Sequence, residues 1–66
     1  MYIVTSHYFD ADTFQDLDDA FAYLRDYAPT ILVRTRTGQT PMKDGRIVEV
    51  IDGVEVRVVY DSNWGY

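Results

Sequence analysis

Few residues in this 66-residue chain have side chains suited to chemistry. There is one histidine, His7, flanked by Ser6 and Tyr8, and no cysteine. A lone histidine without an evident carboxylate partner in sequence reads as structural, because a general base needs a neighbour to orient it. Ser6 and Ser62 become nucleophiles only beside a base, and the chain has one histidine to offer. No glycine-rich phosphate loop precedes a helical pattern. Asp10, Asp12, Asp16 and Asp18 have the density of a calcium loop but not its spacing. A loop opening at Asp10 needs glycine at its sixth position and glutamate at its twelfth, where Gln15 and Phe21 stand. The residues therefore predict no catalytic group, no metal site and no cofactor. So short a chain also has little volume in which to enclose a pocket.

The acids are better explained as a surface. Residues 10–27, "DADTFQDLDDAFAYLRDY", hold six aspartates (Asp10, Asp12, Asp16, Asp18, Asp19, Asp26) against the single base Arg25. That difference is the whole net charge of −5. Outside the segment five acids balance five bases, so the negative charge is segregated rather than spread. The pI near 4.4 disfavours direct binding to nucleic acid, which needs a positive surface. It favours solubility and a basic partner.

Size and composition predict one domain, residues 1–66, with a small core. At 47% hydrophobic and 15% aromatic the chain has the material for that core. No apolar run approaches the ~18 residues of a membrane span, and "MYIVTSHYF" lacks the basic start and long apolar stretch of a signal peptide. A cytoplasmic location is the expectation, with no membrane contact.

Tyr2 to Phe9 reads as a strand, rich in β-branched and aromatic residues, followed by a turn at "DAD". Helical periodicity then places Phe14, Leu17, Phe21, Leu24 and Ala28 on one stripe. The helix starts between residues 13 and 16, capped by Asp12 or by Asp16, and ends before Pro29. "TILVRTRT" reads as a second strand and Gly38 to Gly45 as a loop. "RIVEVI" and "VEVRVVY" flank Asp52-Gly53, the residues of a type I′ hairpin turn. A regular ladder pairs Ile51 with Val54, Glu49 with Val56 and Ile47 with Val58. The expected fold is α+β, in the order β-α-β-β-β, with a single helix packed on a mostly antiparallel four-stranded sheet.

On a helical wheel Asp12, Asp16, Asp19, Tyr23 and Asp26 gather opposite the apolar stripe, with Asp18 and Arg25 at its border. From Asp12 to Asp26 the axis rises roughly 21 Å, about one negative charge per 5 Å. Duplex DNA carries about one per 1.7 Å, so the helix alone imitates a phosphate backbone weakly. The simplest account is a solvated face that complements the helix dipole. Two features resist it: Asp26 lies in the last turn, where the dipole disfavours an acid, and Tyr23 sits among charges as an aromatic anchor would.

Arg34 and Arg36 alternate on the second strand, with Lys43 and Arg46 nearby. They read as charges guarding a strand edge, or as a basic patch that makes the molecule dipolar and supports self-association. In the tail "YDSNWGY", Tyr60 completes the last strand. Trp64 either closes an open core edge or joins Tyr66 as an exposed anchor for a partner.

A very short, cysteine-free, acidic α+β chain carrying "DLDDAFAYLRDY" resembles the inhibitors of bacterial defence encoded by phages and mobile elements, of the anti-CRISPR and anti-restriction type. The resemblance implies a non-catalytic protein in the cytoplasm of a bacterial host. Its partner would be a larger basic protein or nucleoprotein complex, whose nucleic-acid-binding surface it occludes. The implied docking surface is Asp12, Asp16, Asp19, Tyr23 and Asp26, supplemented by Trp64 and Tyr66. The alternative is a self-associating module, a homodimer, whose acidic face serves only solubility. A third option is nucleic-acid binding through Arg34, Arg36, Lys43 and Arg46.

Overall fold

The computed structural model describes residues 1–65. The fold is α+β: one helix lies on a four-stranded antiparallel sheet, and two further strands form a separate hairpin. The elements are β1 (Tyr2–Ser6), β2 (Phe9–Phe14), α1 (Leu17–Tyr27), β3 (Thr30–Thr35), β4 (Gly38–Lys43), β5 (Arg46–Ile51) and β6 (Val54–Asp61), closed by a 3-10 turn (Ser62–Gly65). The main sheet has the order β2-β1-β5-β6, and β3 pairs only with β4. No helix among the described residues is long and apolar enough to cross a membrane.

The first strand is shorter than its composition implies. It ends at Ser6 because the Ser6 hydroxyl and the His7 amide both donate to the Asp44 carboxylate, which turns the chain. The segment expected as a turn then runs back along β1, pairing Ile3 with Thr13 and Val4 with Asp12. Aspartate has low strand propensity, but β2 is an edge strand that leaves Asp10 and Asp12 in water, so pairing overrides propensity. The expected loop from Gly38 is likewise mostly a strand, β4, paired along its length with β3. Pro41 is tolerated there because an edge strand need not donate at every position.

The helix starts at Leu17, one residue past the expected range of 13–16, with Asp16, the later of the two expected caps, before it; the Asp16 side chain accepts from the Asp18 amide. Ala28 ends it in an extended conformation ahead of Pro29, and the Lys43 ammonium donates to the Ala28 carbonyl, a cation at the negative end of the dipole. The buried stripe is Ala20, Leu24 and Ala28, packed on Val4 of β1 and Ile47 of β5, with half-buried Leu17 against it. Small Ala20 faces the sheet, which lets the helix lie close over its central strands. Phe21 and Tyr23 flank that stripe on opposite sides. Phe21 reaches Tyr60 on β6, while Tyr23 packs against Phe9 and Phe14 on β2. Phe14 thus joins the core from a strand, not from the helix, and Phe21 remains 39% exposed.

Asp52 and Gly53 adopt φ of 52° and 77°, the left-handed pair that a type I′ turn requires, and Ile51 pairs with Val54 as expected. The regular ladder stops there. Two bulges leave Val56 and Val59 unpaired on β6, so Glu49 meets Arg57 instead of Val56, Val48 meets Val58, and Ile47 meets Tyr60. The regular alternation of faces that such a ladder implies is therefore broken. Ile47 is fully buried, whereas Ile51, Val54 and Val56 are exposed near the tip. Val48 is buried too, flanked across the strands by Ile3 and Val58.

Candidate functional site

The acidic surface has a different composition from the one the helical wheel assembles. Asp12 lies on β2, outside the helix. Tyr23 is not an exposed anchor; its ring sits 5.2 Å from Phe9 and 5.1 Å from Phe14 and belongs to the core boundary. On the helix the tyrosine that reaches water is Tyr27, 66% exposed, its ring tilted against that of Tyr23 at 4.7 Å. Asp26 is answered by a base, since the Arg25 guanidinium donates to its carboxylate at 3.2 Å. An acid in the last turn thus has a local reason, and the helix face is not free of cations.

What the fold brings together is the run from β2 into the first turn of α1. Asp10, Asp12, Asp16, Asp18 and Asp19 are all exposed, and none has an ion-pair partner among the described residues. Asp18 and Asp19 stand in the first turn of the helix, where the dipole favours them. The patch is a sheet edge joined to a helix amino terminus. Of the other expected members, Asp26 lies at the far end of α1, Trp64 falls on the closing 3-10 turn, and Tyr66 lies outside the described residues.

The expected basic group is dispersed. Lys43 serves the helix carboxyl end and Arg46 stands 3.7 Å from Asp61. Arg34 and Arg36 are exposed on the separate β3–β4 hairpin.

A second site was not visible in the sequence. His7 does have a carboxylate partner, Asp44, 37 residues away, because β1 pairs directly with β5 and brings the two turns together. Asp44 gathers three donors: the Ser6 hydroxyl at 2.9 Å, the His7 amide at 3.1 Å and the His7 ring through Nδ1 at 3.3 Å. Its side chain is 7% exposed, that of His7 87%. Ser6 and His7 converge on one carboxylate instead of on each other, so this is a hub and not a nucleophile–base relay. Beside it lies a cavity of about 300 Å³, whose walls include Ser6, His7, Asp44, Arg46, Asp61 and Ser62.

Burial pushes the Asp44 carboxyl up, but the bonds from Ser6 and His7 outweigh it and hold the group below its ordinary value. A folded-state value below the unfolded one adds stability that is fully present above about pH 3.8. That stability is lost as pH falls from there through the lower folded value. Glu49 acts in the same direction, held down chiefly by the hydrogen bond from Arg57. Thermal midpoints followed by circular dichroism from about pH 7 to about pH 2 should therefore fall on the acid side, and Asp44→Asn should flatten that fall. An unchanged acid slope in the variant would remove Asp44 from the account.

Compared with known proteins, the chain matches no family model, no curated sequence and no solved structure.

Proposed function

We propose that the chain is a non-catalytic binding protein that docks through an acidic surface on a basic, nucleic-acid-binding face of a larger protein and occludes it. A bacterial defence nuclease or surveillance complex is the partner class, and the host cytoplasm the setting. The observation that supports this reading is the set of five exposed, unpaired carboxylates between Asp10 and Asp19. A solubility surface normally intersperses both signs, and its acids find local bases, as Asp26 finds Arg25. Here the bases lie elsewhere, so the negative field is left to steer and hold a cationic partner.

Capture of tagged protein from nuclease-treated bacterial lysate, read by mass spectrometry, tests this. Wild type should recover a basic nucleic-acid-binding protein, and an Asp12→Lys/Asp18→Lys/Asp19→Lys variant with an unchanged circular dichroism spectrum should lose it. Recovery of the same proteins by both would reduce the acids to a solubility surface.

Self-association is the runner-up, favoured by the exposed Ile51, Val54 and Val56 at the β5–β6 tip. An apolar dimer of that kind survives high salt, whereas docking through carboxylates weakens with it.

A further inference from the structure

We infer that the cavity beside Asp44 receives a single guanidinium side chain, the arginine of a basic partner. Its role as an anchor rests on the docking reading above. The cavity itself is independent of that reading and lies outside the acidic patch.

Charge selects the ligand. Two carboxylates, Asp44 and Asp61, share the wall with one guanidinium, Arg46. Arg46 is 48% exposed and its Nε stands 3.7 Å from Asp61, a loose contact that leaves Asp61 capacity for a second cation. Asp44 is shielded beneath the surface with its charge met by a hydroxyl, a backbone amide and the ring of an outward-facing histidine. Its Oδ2 takes the Ser6 and His7 amide bonds and the imidazole stands 3.3 Å from both oxygens, so among the described residues Oδ1 has that contact alone. An ionised carboxylate offers about four acceptor positions, so Oδ1 is under-used. A shielded carboxylate that lacks a full positive partner gains most from one that arrives. An anion would meet two carboxylates and be repelled.

Size and shape narrow the class further. A volume of about 300 Å³ is the lower bound of small-ligand pockets, ~300–1,000 Å³, so it suits one side chain and not a nucleotide. The planar guanidinium fork matches carboxylate geometry with two parallel hydrogen bonds, which an ammonium does not. Among the described residues no group of three or more histidines and acids is placed to hold a metal ion.

The test is an NMR titration of the ¹⁵N-labelled full chain with N-acetyl-arginine amide, and with the neutral isostere N-acetyl-citrulline amide. The arginine probe should give saturable amide shifts at His7, Gly45 and Ser62, and the citrulline probe none. Asp44→Asn should lose the shifts. Because that variant also removes a structural hub, two variants of the cavity wall, at exposed Arg46 and half-buried Asp61, make the decisive pair. Arg46→Gln should tighten binding about threefold and Asp61→Asn should weaken it about threefold, the size of one partly exposed charge pair. Asp12→Lys/Asp18→Lys/Asp19→Lys should leave the titration unchanged.

Absence of saturation by about 50 mM, well beyond a millimolar Kd, would overturn the inference, as would equal shifts with citrulline or weaker binding in Arg46→Gln. A silent titration with partner capture intact would discard this cavity and leave the docking proposal standing. Saturable arginine binding without any partner capture would overturn the anchor role.

Discussion

Replacing Gly45 with alanine should remove most of the stability of the fold. A Cβ at this position would stand 2.5 Å from Leu24 Cδ1 and 2.7 Å from the Thr5 carbonyl oxygen. Leu24 is 3% exposed and packed on the sheet, so it has no free space to swing into. The Thr5 carbonyl is backbone, in the strand that pairs with β5, so relief there means prising β1 from β5. Gly45 also ties the two turns to the chain end, donating to the Ser62 hydroxyl and accepting from the Ser62 amide. Overpacking a core position costs about 1–3 kcal/mol, and a backbone clash belongs at the upper end. A domain of this size has roughly 3–5 kcal/mol in total. Denaturation followed by circular dichroism should show Gly45→Ala partly or wholly unfolded at 25 °C. Gly53→Ala provides the contrast. Nothing lies within 4 Å of its Cβ, so it should lose only the left-handed turn preference, about 1–2 kcal/mol. A Gly45→Ala melting curve equal to wild type would mean that the helix does not approach the β4–β5 turn as described.

Ile47→Ala should be comparably severe for the opposite reason. Ile47 and Val4 are the largest fully buried side chains, and both sit beneath α1. Removing most of the Ile47 side chain withdraws apolar contact from Leu24 and leaves a cavity, at about 2–5 kcal/mol. Its neighbour in sequence, Val48, points to the other side of the sheet and stands outside the helix-facing cluster. Val48→Ala should therefore cost less, on the order of 1–2 kcal/mol, at a smaller and less enclosed side chain. Chemical denaturation midpoints of the two variants measure the difference. Equal losses would argue against a single core between helix and sheet.

The same residues show what the sequence discloses and what it hides. Pro29 as a stop and Asp52-Gly53 as a hairpin turn are local chemistry, each where the spacing predicts it, and Asp16 is one of the two caps the spacing allows. The α+β class follows from those signals. The strand from Phe9 to Phe14 was hidden because its aspartates and its turn-like start mask a stretch that is held by β1 rather than by its own propensity. Pro41 and its polar neighbours masked β4 in the same way. The bulges at Val56 and Val59 leave no mark in a run of alternating valines, yet they decide which of those valines face water.

The site was legible only in part. The concentration of aspartates is plain in the sequence, but a wheel drawn through Asp12 assumes a helix that begins later, at Leu17. Starting the helix there transfers Asp12 to a sheet edge, and the strand so formed brings Phe9 and Phe14 against Tyr23 on the flank of the helix. The link between His7 and Asp44 depends on β1 pairing with β5, a contact across most of the chain that no local spacing encodes.

Displacement of nucleic acid from the captured partner is the most direct test of occlusion. The partner would be loaded with a fluorescent oligonucleotide and titrated with the wild-type chain while anisotropy is followed. Docking on the nucleic-acid-binding face predicts that anisotropy falls to the value of free oligonucleotide as the chain is added. It further predicts that Asp12→Lys/Asp18→Lys/Asp19→Lys leaves the signal unchanged. A rise in anisotropy, the mark of a ternary complex in which chain and nucleic acid bind together, would contradict the account.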